Sequence, residues 1–151
     1  MKVIGVGNRW RHDDAAGLEV AARLRSRLPE IEVLEREGEP VGLLEAFEGA
    51  DAVVIVDAVS SGAKAGFVRR LNASSEPLPA SYFAASTHHF GLPEAIELAR
   101  ALGRLPERTV VYGIEGVCFE AGEGLSAEVG EAVERAVEAV YEEVGVCTSG
   151  S

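Results

Sequence analysis

Two rhythms of apolar residues alternate along this chain. Residues 2–7, Lys-Val-Ile-Gly-Val-Gly, make a short apolar run bounded by glycine, which predicts a strand buried on both faces. From Gly17 onward the apolar or small positions Val20, Ala21, Leu24 and Leu28 follow helical spacing, so a helix with one buried face should begin near Asp13-Asp14 and stop at Pro29. Residues 31–36 alternate Ile31, Val33 and Leu34 with acids, as expected of a strand nearer the sheet edge, and residues 41–48 suit a short helix. The run Ala52-Val53-Val54-Ile55-Val56 is mostly β-branched, ends at Asp57 and belongs in the middle of the sheet.

Residues 60–80 are rich in turn formers and hold one weak strand near 66–71. Pro93 suits the first turn of a helix carrying Leu92, Ala95, Ile96, Ala99 and Leu102 on one face, with Gly103 as its terminator. Residues 109–114 read as the last strand. Ser126 is placed to cap a final helix whose face runs through Val129, Val133, Val137, Val140 and Val144 before Gly145. The expected organisation is one α/β domain over residues 1–146, with 147–151 a tail. Strands alternating with helices predict a doubly wound three-layer sandwich: a mainly parallel, twisted, five-stranded sheet with helices on both faces.

Composition narrows the function. The 151 residues carry a formal net charge of −11, which repels a phosphate backbone and argues against nucleic acid as a partner. No apolar run approaches the roughly 18 residues of a membrane span and no secretory signal opens the chain, so a cytoplasmic, membrane-free protein is expected. Cys118 and Cys147 lie far apart without a CxxC motif and read as ordinary thiols rather than zinc ligands or a redox pair.

The candidate chemistry lies at strand ends. In a doubly wound sheet, sites form beyond the carboxyl ends of the strands. Asp13 and Asp14 follow the first strand, Asp57 ends the third, and His88 and His89 lie in the loop before the Pro93 helix, so they can converge on one rim. Two adjacent acids repel unless a metal, a base or a proton intervenes. Asp13 is assigned to capping and dipole complementation, and Asp14 to the site. Asp57 follows an apolar run, where an unpaired charge is expensive, and its partner is a metal, a backbone amide or an arginine. An Asp, Asp, His set suits a divalent ion such as zinc or nickel. His12 reads as a loop residue, and Arg9-Trp10-Arg11 as an exposed cationic and aromatic patch suited either to plain surface or to gripping a partner chain. Gly5-Val6-Gly7 lacks the third glycine of a dinucleotide fingerprint, because Trp10 stands there; the glycines instead permit a sharp turn and close backbone approach.

These landmarks together resemble the hydrogenase maturation proteases, endopeptidases that remove a C-terminal extension from the large subunit of nickel-iron hydrogenases. The Gly-x-Gly-Asn turn and acid pair match Gly5 to Asp14, the strand-ending aspartate matches Asp57, and the histidine before a hydrophobic-Gly-Leu segment matches His88 in Thr-His-His-Phe-Gly-Leu-Pro. Tyr112 to Glu115 and Leu125-Ser126 also fit. The resemblance implies that Asp14, Asp57 and His88 engage nickel and carry the reaction, with His89 in reserve. It implies too that the nickel is carried by the substrate, the large-subunit precursor, with the same site open to cadmium or zinc in vitro. A monomer is expected. One departure is Ala15, where the family usually has glycine.

Two other readings compete. A phosphoacceptor receiver domain also has an acid pair, a strand-end aspartate and a threonine, which Asp13, Asp14, Asp57 and Thr87 mimic, but this chain has Gly113-Ile114-Glu115-Gly116 where a receiver places a lysine. A non-catalytic nickel-binding assembly factor would keep the same three ligands and cleave nothing.

Overall fold

A computed structural model describes residues 1–83 and 91–149. In chain order the elements are β1 (Lys2–Val6), α1 (Ala16–Arg27), β2 (Glu32–Arg36), α2 (Pro40–Phe47), β3 (Ala52–Val59), β4 (Val68–Asn72), α3 (Leu92–Ala101), β5 (Arg108–Glu115) and α4 (Ala127–Ser149). The sheet order is β2-β1-β3-β5-β4, with β3 in the centre and β2 and β4 at the edges. All pairs are parallel except β4 with β5, where the weak strand of the 60–80 region docks antiparallel and ends the sheet.

The pleat of β3 divides the core. Val54 and Val56 face α1 and α4, packing with Val20, Leu24, Val133 and Val140. Val53, Ile55 and Val59 face α2 and α3, packing with Leu43, Phe47, Leu92 and Ile96. The continuous β-branched run exists because both faces are covered, and each such buried side chain contributes roughly 1.5–3 kcal/mol. The three-layer α/β sandwich expected from the sequence is therefore the fold.

Two details differ from the pattern reading. Leu102 stands beyond α3 as an exposed C-cap residue rather than on its buried face, since one further residue carries the spiral away from the core. The last helix also continues past Gly145 to Ser149 and so takes in residues expected to be tail. Glycine costs a helix only about 1 kcal/mol, and the buried Val140 and Val144 anchor the turns leading into the extension, where Thr148 Oγ1 donates to the Val144 carbonyl at 3.0 Å. Glu143 fastens α4 to the sheet, accepting from Tyr112 Oη at 2.6 Å and Arg70 Nε at 2.8 Å.

The glycines of β1 and α1 set the position of the acid pair. A Cβ on Gly5 would lie 2.3 Å from the Gly17 carbonyl oxygen, and one on Gly17 would lie 2.3 Å from the oxygen of Val56 and 2.5 Å from that of Val6. The start of α1 is thus pressed against the carboxyl ends of β1 and β3, which holds the preceding turn, with Asp13 and Asp14, on that rim. No helix among the described residues is long and apolar enough to cross a membrane.

Candidate active site

The acid pair is not at the first turn of α1. It sits in a separate 3-10 turn, His12–Ala15, that runs into the helix. Asp13 does not cap that helix. Its carboxylate is fully buried and reaches across to the loop after β5, where it accepts hydrogen bonds from the backbone N–H groups of Val117 at 2.8 Å, Cys118 at 3.0 Å and Ser126 at 2.8 Å, and from Ser126 Oγ at 3.0 Å. Burial alone would raise its pKa, but these donors outweigh burial and hold it below the ordinary carboxylate value. Ser126 spends its hydroxyl on Asp13. Its backbone carbonyl accepts from Gly130 N at 2.9 Å, which starts the helical ladder of α4.

The same loop is laced to the turn at other points. His12 adopts φ 45°, its N–H donates to the Gly122 carbonyl at 2.9 Å, and its Nδ1 lies 3.0 Å from the Gly124 carbonyl. Its ring lies where a Cβ on residue 122 would come within 2.2 Å of Nε2, so the glycine there is a matter of space. His12 is a structural residue of this turn.

Asp14 and Asp57 come together. Both line a cavity of about 20 Å³, enough for one water or one ion, with Val6, Gly7, Glu37, Tyr82, Phe83 and Phe119 among its walls. Asp57 ends the β-branched run of the central strand and is buried, paired in register with Gly113 of β5. Among the described residues it receives a single hydrogen bond, from the Ala58 N–H at 2.8 Å. Burial first, and the neighbouring Asp14 carboxylate second, push its pKa well above the usual range, and the Ala58 N–H only partly offsets this. The pocket therefore favours a proton or a cation on Asp57.

Arg11 Nη1 stands 3.9 Å from Asp14 Oδ2, with its side chain 19% exposed. That removes it from the expected surface patch: Arg9 and Trp10 are exposed, whereas Arg11 turns inward to the site. The departure at Ala15 also finds its place. This residue lines a shallow groove shared with Trp10 and Leu125 and is not among the walls of the Asp14–Asp57 cavity.

His88 and His89 lie outside the described residues, as does Thr87. The described residues that flank that segment, Phe83 on one side and Gly91 and Leu92 on the other, all line the cavity. Among the described residues no three metal-binding side chains gather at one point. Sequence reasoning missed Glu37, Tyr82 and Phe119 as walls of the site, because Glu37 and Phe119 arrive from loops and Tyr82 from a single 3-10 turn, Ala80–Phe83, none with a periodic signal.

The receiver analogy fails on topology as well as on its missing lysine. A flavodoxin-like receiver has parallel strands ordered 2-1-3-4-5, whereas here an antiparallel β4 caps the sheet beyond β5. The end of β5 presents Glu115, buried and accepting from Ser61 N at 2.9 Å and from Ser61 Oγ.

Fold and site together define a class: a doubly wound α/β protein with two carboxylates converging beyond the central strands. The hydrogenase maturation protease family model matches residues 18–143, and the chain belongs to that family. It is 30% identical over 143 residues to the hydrogenase 2 maturation protease of Escherichia coli K12, covering 91% of this chain and 86% of that one. It is 25% identical over 144 residues to the hydrogenase expression/formation protein HupD of Thiocapsa roseopersicina, covering 93% of this chain but 65% of the relative's length. Among solved structures, the NiFe hydrogenase maturation protease HybD from Thermococcus kodakarensis superposes with a TM-score of 0.73 at 28% identity, covering 94% of this chain and 98% of that one.

Proposed function

We propose that this protein is an endopeptidase that removes a C-terminal extension from the precursor of a nickel-iron hydrogenase large subunit, and that it reads nickel already carried by that substrate. The observation that supports this most is the convergence of Asp14 and Asp57 on an ion-sized cavity whose walls also hold both flanks of the segment bearing His88. Two carboxylates and an imidazole form a donor set that suits nickel, with cadmium or zinc as stand-ins in vitro.

The chemistry follows from charge. Asp57 is held in surroundings that penalise its ionised form, so an arriving cation exchanges for its proton and engagement of the metal is linked to proton release. Asp14, with Arg11 beside it, supplies the second oxygen ligand. His88 supplies the nitrogen. The substrate's nickel polarises the scissile carbonyl or a water; water adds its oxygen to the acyl carbon as the C–N bond breaks and delivers a proton to the departing amine. No serine or cysteine nucleophile enters this scheme.

The test is to mix the protein with nickel-loaded and metal-free precursor. The loaded form should release a C-terminal peptide and the metal-free form should stay intact; Asp14→Asn and His88→Ala should each abolish release with the circular dichroism spectrum unchanged. Tight binding of nickel-loaded precursor without any peptide release would make the protein an assembly factor instead.

A further inference from the structure

The cavity between Asp14 and Asp57 is only about 20 Å³, so no peptide enters it, and any chain that presents an ion there must lie outside. A place for that chain adjoins the cavity. Gly7 and Glu37, two walls of the cavity, are also walls of an open groove of about 340 Å³ that runs past Leu18 to Trp10. On the other flank of Trp10 a second groove, of about 370 Å³, is walled by Ala15 and Leu125. Trp10, with Arg9 beside it, is a wall of both grooves and so forms the ridge between them.

Trp10 is 58% exposed, an unusual place for the largest apolar side chain of the protein. The backbone holds it there. Asn8 Oδ1 accepts from the Trp10 N–H at 2.9 Å, closing an Asx turn, and the Trp10 carbonyl accepts from Gly122 N at 2.8 Å. With both backbone groups tied, the ridge belongs to the same braced unit as Asp13 and the loop after β5, and little ordering remains to be done on contact. Tryptophan is among the residue types enriched at the energetic centres of protein interfaces.

We infer that the Trp10 ridge and the groove leading from it to Gly7 and Glu37 seat the stretch of substrate polypeptide that adjoins the scissile bond, in extended form, with an apolar side chain against the indole. This rests on the reading of the site as a peptidase centre. The groove shares the Gly7 and Glu37 walls with the cavity, so a chain lying in it passes beside Asp14 and Asp57. Charge selects the occupant. Glu35, Glu37 and Glu39 outnumber Arg9 and Arg36 along the groove of a protein with a net charge of −11, which disfavours an acidic segment or a nucleic acid.

The chain offers its own probe, because Trp10 is its sole tryptophan. Stopped-flow fluorescence of the wild type with nickel-loaded precursor, minus the same experiment with Trp10→Phe, isolates the Trp10 signal from any tryptophan in the substrate. A blue-shifted difference transient that saturates with precursor and precedes peptide release is expected. Trp10→Ala should raise KM at least tenfold, about 1.4 kcal/mol, with a much smaller fall in kcat, while the circular dichroism spectrum stays that of the wild type. A flat difference trace during productive turnover, or an unchanged KM in Trp10→Ala, overturns the inference and leaves the peptidase reading standing. Failure of the wild type to cleave the loaded precursor overturns both.

Discussion

Asp13 and Asp14 are consecutive, chemically identical and part of one turn, yet the protein treats them in opposite ways. Asp13 is buried and receives four hydrogen bonds, its charge fully answered by the loop after β5. Asp14 faces a small cavity across which Asp57, also an acid, sits buried with one backbone donor. The first arrangement makes a rigid brace. The second sets two carboxylates at one cavity, with Arg11 3.9 Å from Asp14 and the ionised form of Asp57 penalised by burial and by its neighbour. A carboxylate held by several donors inside the chain is structural, whereas two carboxylates placed close together in a small cavity shift each other's titration, the kind of perturbation that gathers at functional sites.

The largest effect should come from breaking the brace. Asp13→Ala strands several donors at once, and at about 1–3 kcal/mol for each buried group left unsatisfied, tempered by water reaching the loop, a loss of about 3–4 kcal/mol in urea unfolding is expected. The brace also has a pH signature. Because Asp13 is held below its ordinary pKa, its stabilisation is fully present above about pH 4, the unfolded value, and is lost as pH falls through the folded one. Acid unfolding of Asp13→Ala should therefore lack part of the wild-type pH dependence in that window.

Asp14→Asn should do the reverse. Stability should hold within about 0.5 kcal/mol, while release of the extension falls more than about 100-fold, ~2.7 kcal/mol in the barrier. A variant that loses stability but keeps its rate would exchange the roles assigned to the two neighbours.

Asp57→Asn sharpens the comparison from the other side of the cavity. The folded pKa of Asp57 is raised, so its favourable contribution is present at low pH and is lost as pH rises from about 3.9 through the folded value. Asparagine can still accept from Ala58 N and carries no charge, so the variant should gain about 1 kcal/mol at neutral pH, a gain that shrinks on acidification, while processing is lost. Thermal melts of the metal-free proteins between pH 4 and 8 check this. The smallest effect is expected at Ala15. Ala15→Gly should change stability by no more than about 0.5 kcal/mol and leave the processing rate within about twofold, since this residue stands outside the walls of the acid cavity.

Much of this architecture could be read from the chain because it is written in local periodicity. The strand at 52–57 is β-branched and apolar since both of its faces are covered, and its terminal aspartate marks where the cover ends. The helices at 16–27 and 92–101 carry their buried stripes at helical spacing, and the proline at the start of the latter was an adequate marker. The acids of the site were legible for the same reason: charge at the end of an apolar run stands out. Leu102 and the last turns of α4 were misjudged at element ends, where one residue more or less costs little and packing decides.

What the sequence determined by itself was the class of fold, the strand ends where chemistry gathers, and Asp14 and Asp57 as candidates, because hydrophobic burial imposes a period and a break in the period is visible locally. The separation of a structural Asp13 from a site-facing Asp14 was also read from the chain, but tertiary structure alone decided that Asp13 braces the loop after β5 rather than capping α1. Asp13 and Ser126 are 113 positions apart, and no spacing rule links them. Nor did any local pattern say that Arg11 turns inward from the exposed patch it was read into, or that β4 runs antiparallel at the edge. Hydrogen bonds and charge pairs are made in space between distant segments, so their assignment waits until the chain has folded.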